Sequence, residues 1–258
     1  MQPLRLVYTR YQMDASNYLD TVRREGELSL AAARRTSLDA PIPTCPGWDV
    51  RFLLRHLGSI HRWVTTIIEE ARQEPPPSLE AECGPWPNDG ELLDWFRAGY
   101  TEMVRALEEA PPDLTVWSFF PSLPSIPFWA RRQAHENGIH RADLEAAAGG
   151  PITPFDPTIA ADGIDELLVL LASGPGRGLR TDSPRILQVH AADVDRGWFI
   201  HAAPDGSSVS SEPVASDGTV SGPASDLYLL LWNRRSTERL DVSGDVGLLD
   251  RWRDSVHI

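Results

Sequence analysis

The chain contains no lysine; all 24 of its basic residues are arginine. Neither a Schiff base nor a lysine general base is therefore available to it. Cysteine is almost as scarce. Cys45 and Cys83 are the only two, far apart and without a CxxC pair, which indicates neither a disulfide framework nor a cysteine zinc site and fits a reduced compartment. Positive charge is outnumbered, 37 acidic residues leaving a net charge of −13. That charge repels nucleic acid and anionic membranes, and no basic stripe offsets it, so a nucleic-acid role is not expected. No apolar run reaches membrane-spanning length. The N-terminus, Met1-Gln-Pro-Leu-Arg-Leu-Val-Tyr-Thr-Arg, is too short and too polar for a secretory signal. The expectation is a cytoplasmic protein without a membrane partner.

What is present is ordinary for a globular protein: 41% hydrophobic and 24% charged residues over 258 positions, enough for one large or two small domains. Residues 14–37 carry apolar positions at Leu19, Val22, Leu28 and Leu30 and predict a first helix. Pro41, Pro43 and Pro46-Gly47 break the chain. Asp49 then caps a second helix to about Arg72, with Val50, Leu53, Leu54, Leu57, Ile60, Val64, Ile67 and Ile68 at three-and-four spacing. Pro75-Pro76-Pro77 ends it. A third helix is predicted from Asp89 to Ala110, stopped by Pro111-Pro112. After a Pro- and aromatic-rich connection at 116–127, a fourth runs from Phe128 to Ala148, ending at Gly149-Gly150-Pro151. A fifth amphipathic segment spans Pro157 to Ala172. Helices with short breaks suggest an antiparallel bundle over 1–175.

Beyond Gly174-Pro-Gly-Arg-Gly the pattern changes. Ile186–Ala191 and Trp198–Ala203 read as strands, with Pro204-Asp205-Gly206 as a turn. Val220 ends a short strand, Pro223 opens a helix over 226–232, Leu240-Asp-Val is a last strand and Asp245 starts a terminal helix. The fold class is thus α+β, a four-helix bundle followed by a small α+β domain over 178–258.

One stretch of the fourth helix carries chemistry. Glu136 and His140 lie four residues apart, about 400° of helical rotation, so their side chains stand one turn apart on one face and suit a single divalent cation. The histidines His135 and His140, five apart, are about 140° out of line, which separates the pattern from His-Glu-x-x-His. The second helix offers His56 and His61, also five apart. His56 sits between Leu53, Leu57 and Ile60 and is chosen as third ligand, with His61 pointing toward the Arg55/Arg62 side. His190 and His201 fall in strands and His257 at a fraying end. Three protein ligands leave one position for water or substrate, as in catalytic zinc sites. The competing reading makes Arg132, Glu136, His140 and Asp143 the solvated side of the helix.

Thr44-Cys-Pro-Gly-Trp-Asp-Val-Arg-Phe-Leu-Leu-Arg-His-Leu57 and Trp129-Ala-Arg-Arg-Gln-Ala-His-Glu-Asn-Gly-Ile-His-Arg-Ala-Asp143 resemble the two signature segments of the mycothiol-dependent maleylpyruvate isomerase family, whose bundle is of the DinB-like type. Val220-Ser-Gly-Pro-Ala-Ser-Asp-Leu-Tyr-Leu-Leu-Leu-Trp-Asn-Arg-Arg235, with Val242-Ser-Gly-Asp245, is similar to the family's small C-terminal domain. The resemblance implies a divalent metal, usually zinc, on His56, Glu136 and His140, and mycothiol, the small thiol of actinobacteria, as the imported nucleophile. The lysine-free, Ala-, Pro- and Gly-rich composition of a GC-rich coding sequence agrees with such a host. Arg234 matches an arginine that faces the site in the family and suits bidentate capture of a carboxylate, or equally a helix C-terminal contact. Arg132, one turn before Glu136, is the candidate for orienting the thiol, against a solvated-face alternative. Phe52 departs from the family, where an acidic residue completes a capping box with position 49; Asn233 replaces a small residue.

The expected chemistry is thiol S-transfer or exchange onto an electrophilic small molecule. Cis–trans isomerisation and a non-catalytic metal-binding module are the alternatives. Trp117, Phe119, Phe120, Phe128 and Trp129 would favour a larger, flatter, less charged substrate if their connection covers the site; otherwise they anchor it to the bundle. Cys45 is read as a small residue before Pro46, against the alternative of a thiol at a helix start, where the dipole would lower its pKa. Monomer and homodimer both remain open.

Overall fold

The computed structural model of the protein describes residues 13–76, 78, 83–172 and 174–256. The N-terminal stretch and His257 lie outside them. The described chain folds into two compact units, one over 13–153 and the other from Pro154 onward.

The first unit holds four long helices: α1 (Ala15–Ala33), α2 (Val50–Glu69), α3 (Leu92–Glu109) and α4 (Ser125–Ala147). The Asp49 carboxylate accepts the Phe52 backbone N–H at 2.7 Å, supplying the cap that starts α2. The three-and-four spacing of α2 buries Val50, Leu53, Leu54, Leu57, Val64, Ile67 and Ile68, which pack with Leu92, Phe96, Tyr100, Met103 and Leu107 of α3 in the core. Gly58 is required for this approach, because a Cβ there would come within 2.1 Å of the Trp95 ring. The Arg62 guanidinium lies 3.9 Å from the centre of the same ring.

α1 packs against α4. Across that interface the buried Arg141 donates to Glu25 at 2.5 Å; it also donates to Glu145 of its own helix at 2.7 Å and to the Thr153 carbonyl beyond it at 2.7 Å. α4 is buried on almost every side despite its polar sequence. That overturns its reading as a helix with a solvated face: Arg132 and Asp143 are buried, and Glu136 and His140 only partly exposed.

In the second unit, Asp156 caps α5 (Pro157–Asp165), whose chain continues as π-helical turns over Glu166–Leu171. The helical pattern of this segment groups it with the bundle, but in the fold it belongs to the second unit, where α5 packs against α6 (Ala224–Leu231). The strands are β1 (Gly174–Pro175), β2 (Arg185–Ala191), β3 (Arg196–Ala203), β4 (Gly206–Ser210), β5 (Gly218–Gly222) and β6 (Asp241–Gly244), in the order β1-β4-β3-β2-β5-β6. β2 and β5 are parallel, and the other neighbours antiparallel. α7 (Gly247–Ser255) closes the unit, its Trp252 indole donating to the Leu231 carbonyl at 2.9 Å. Strand β4 has no signal in the sequence, since Gly-Ser-Ser-Val-Ser has too few apolar residues to show alternation. Asn233 has a role: it takes the left-handed conformation (φ 59°) just after α6, and its side-chain amide donates to the Val256 carbonyl at 3.0 Å.

Candidate metal centre

α2 and α4 bring His56, Glu136 and His140 together. Their ligand atoms all lie within 4.8 Å of one another. Nε2 of His56 is 3.6 Å from Oε1 of Glu136, and Nε2 of His140 is 3.4 Å from the same oxygen. Donors about 2.0–2.1 Å from a tetrahedral zinc stand roughly 3.3 Å apart. The two edges that meet at Glu136 thus already have nearly the spacing of such a polyhedron, the third lies within 4.8 Å, and two nitrogens with one carboxylate oxygen form a donor set suited to zinc.

A second layer supports this face. The segment before α2 closes on itself, with Ile42 N–H bonded to the Trp48 carbonyl at 2.9 Å and Trp48 N–H to the Cys45 carbonyl at 3.0 Å. The closed loop places Thr44, Cys45 and Trp48 beside α4. Asp143, wholly buried, accepts the Thr44 hydroxyl at 2.5 Å, the Cys45 thiol at 3.5 Å and Nδ1–H of His140 at 2.9 Å. With Nδ1–H fixed on Asp143, a metal ion that displaces the other ring proton would meet the lone pair of Nε2, the atom facing Glu136. Cys45 is therefore more than a small residue before a proline.

Glu136 also accepts from Arg132 Nη2 at 3.0 Å. Burial alone would raise its carboxyl, but hydrogen bonds from His140 and His56 and the charge of Arg132 prevail and hold it well below the usual carboxylate range. Burial also pushes the His140 imidazole down. Contacts with Asp143 and Glu136 outweigh that and carry it up to about 9. Glu136 is thus an anion over the whole neutral range, as a metal ligand must be.

Aromatic rings frame the face. Trp48 lies 4.8 Å from the His56 ring and stacks on His140 at 5.9 Å and 23°. Phe52 lies parallel to His56 at 6.5 Å. The connection before α4 packs Trp117 and Phe119 onto Trp63 and Trp129, and the Trp129 indole donates to the Trp117 carbonyl at 2.9 Å. Trp63 follows His56 by seven residues and Trp129 precedes Glu136 by seven, two helical turns, or about 10 Å along each axis. These contacts anchor the connection to the bundle, the second of its two expected roles.

His56 joins the triad for a reason opposite to its place on the apolar stripe. His61 is the deeper residue, fully buried beside Phe96 and Tyr100 and hydrogen-bonded to the Asn137 side chain at 2.9 Å, whereas the His56 side chain is 23% exposed. The apolar stripe of α2 points at α3, and the triad stands at its edge. Burial pushes His61 down to about 4, more strongly than the Asn137 bond raises it. His135 packs edge-on to Tyr18 in the core. Arg132 touches the triad directly through Glu136 and is not on a solvated face. Arg234 belongs to the second unit, where it follows α6 and donates to the Trp232 carbonyl at 2.7 Å. Thr44, Trp48 and Asp143 are parts of the site that the sequence reading missed. Their sequence signals are that all three lie within the two family-like segments and that Asp143 follows His140 by three residues, on the same helix face.

A family model for the mycothiol maleylpyruvate isomerase N-terminal domain matches residues 19–145, and one for the MDMPI C-terminal domain matches residues 158–251. The crystal structure of the mycothiol-dependent maleylpyruvate isomerase resembles this chain with a TM-score of 0.66 at 15% sequence identity, covering 91% of this chain and 95% of that one. A histidine-to-alanine mutant of that isomerase gives 0.63 at 14%, with the same coverage. At such identities the likeness establishes the fold. No curated protein matches the chain. No helix among the described residues is long and apolar enough to cross a membrane.

Proposed function

The chain belongs to the mycothiol maleylpyruvate isomerase family, and on that premise we propose that it is a divalent-metal-dependent enzyme using mycothiol as a thiolate for S-transfer or thiol exchange onto an electrophilic small molecule. The supporting observation is the convergence of His56, Glu136 and His140, with separations of 3.4 and 3.6 Å between donor atoms. A divalent ion, most suitably zinc, would there lower the pKa of an incoming thiol from its usual 8.5 or so and leave it ionised at neutral pH.

The chain's own residues do the rest. Asp143 holds His140 in one tautomer, Arg132 fixes the second oxygen of Glu136, and Trp48 limits water on the histidine side of the face. The thiol surrenders its proton to solvent and its sulfur forms a bond to the electrophilic carbon; either a leaving group departs with the electron pair of the bond it breaks, or, on a conjugated electrophile, the displaced π electrons take up a proton from solvent to complete the adduct. Arg234 is proposed to hold a carboxylate of the substrate, the role its family match implies. In the alternative isomerase reading, with which the family match is compatible, the same sulfur adds to a conjugated carbon, the weakened C–C bond rotates, and the thiol is expelled again.

Metal analysis of the purified protein combined with a mycothiol conjugation assay tests the proposal. Stoichiometric metal with thiol-dependent turnover is expected. Stoichiometric metal with no such turnover across diverse electrophiles, maleylpyruvate included, would leave a non-catalytic binding module.

A further inference from the structure

Five large apolar side chains among the described residues are exposed, and two of them, Phe52 and Trp86, touch each other next to the triad. Each is 39% exposed. Their rings meet edge to face at 6.1 Å and 88°, forming a corner, and Trp48 adds a third ring 4.7 Å from Phe52. Phe52 precedes His56 by one helical turn and lies parallel to its ring at 6.5 Å and 16°. Aromatic surface left in water beside a candidate reaction centre marks a binding surface.

The polar groups around this corner show what it takes. The Trp86 indole N–H is bonded to the Ser59 hydroxyl at 3.1 Å, and that hydroxyl donates to the Arg55 carbonyl at 2.7 Å. The Arg55 guanidinium lies against the Trp86 ring at 5.4 Å and donates to the Pro87 carbonyl at 3.0 Å. Arg51 is held by Asp39 and Asp89. The Trp86 indole, Arg51 and Nη2 of Arg55 already have protein partners, and Nε of Arg55, which has none, is buried, so a hydroxyl-rich ligand would lose hydrogen bonds to water and regain few. A flat conjugated ring loses none, and it gains stacking on the rings and on the Arg55-backed indole.

We propose that Phe52 and Trp86, with Trp48 behind them, form the specificity platform for the second substrate, a planar conjugated electrophile of the quinone or aryl type. This rests on the thiol-transfer reading of the same site. A carboxylate at position 52 would stay hydrated and offer no ring to a planar ligand, whereas a phenyl group stacks on it.

The test uses the full-length, metal-loaded protein and its Phe52→Asp and Trp86→Ala variants, both altered at exposed positions. Binding of 2-naphthol, planar but not electrophilic, is measured by ligand-observed NMR, and mycothiol affinity by calorimetry. Each variant is expected to weaken 2-naphthol about tenfold, the worth of one good aromatic contact, with mycothiol affinity retained. In turnover with mycothiol, the ratio of kcat/KM for 1,4-naphthoquinone to that for maleylpyruvate should fall by a similar factor. Unchanged 2-naphthol binding in both variants overturns the platform. So does a loss of mycothiol affinity in place of naphthol affinity, which would assign the corner to the thiol. Absence of any mycothiol turnover in the wild type alongside intact, Phe52-dependent naphthol binding would instead defeat the thiol-transfer reading and leave the platform standing.

Discussion

Nδ1 of His140 lies 2.9 Å from Oδ2 of Asp143, a carboxylate wholly out of solvent that also receives the Thr44 hydroxyl. The imidazole is therefore oriented from behind before any ligand reaches its other nitrogen.

Asp143→Asn removes the charge that makes His140 a better donor to a metal and leaves the ring orientation to a weaker acceptor. Loss of such outer contacts weakens metal affinity by about 10- to 100-fold. Competition with a chromophoric chelator should show that loss with the helical circular dichroism intact. Undiminished affinity would remove Asp143 from the site.

His56→Ala and His140→Ala should each abolish metal retention through dialysis, because two protein ligands hold zinc poorly against water and buffer. His61→Gln and His135→Gln should retain full metal, as both rings sit in the core away from the triad. Full metal content in His56→Ala would mean that the third ligand lies elsewhere.

His61 governs part of the acid stability. Its folded value, about 4, lies below the ordinary 6.5, because burial opposes the charged ring. Above pH 6.5 the ring is neutral in both states and contributes no pH dependence. As pH falls from 6.5 towards 4 the unfolded chain takes up the proton and the folded one does not, so stability is lost across that window, by about 3 kcal/mol. His61→Gln should flatten this limb in urea titrations between pH 7 and 4. A limb that stays as steep would assign the acid sensitivity to other groups.

Arg141→Met leaves Glu25 and Glu145 buried between α1 and α4 without their shared cation. Removing one partner of a buried ion pair is strongly destabilising, by about 3–5 kcal/mol. Chemical denaturation should show it as a lower midpoint, and restoring balance with Glu25→Leu should recover part of the loss. A change under about 1 kcal/mol would mean that water reaches the cluster.

Much of this molecule is legible in its sequence because the deciding rules are local. The Asp49 cap, the proline stops and the spacing of Leu53, Leu54, Leu57 and Val64 locate α2 without any neighbour. Four residues between Glu136 and His140 place two ligands on one face of any α-helix. The sequence does not show which side of a helix will be dry. The spacing of α2 suggests an apolar stripe aimed at the triad, yet that stripe points at α3, and His56 owes its position to being at the stripe's edge. The sequence of α4 looks half solvated, yet neighbours surround the helix and its polar groups pair with one another.

Sequence by itself determined the long helices, the strands with an apolar pattern, the metal-suited pair on α4 and the α+β class, since these follow from backbone periodicity and capping within a few residues. Tertiary structure alone decided that His56 reaches the pair from the edge of its stripe, that Asp143 reaches back 99 positions to Thr44, and that Phe52 and Trp86 form one corner. Those contacts depend on how helices cross, and crossing is settled by the packing of whole faces, which no short window of residues encodes.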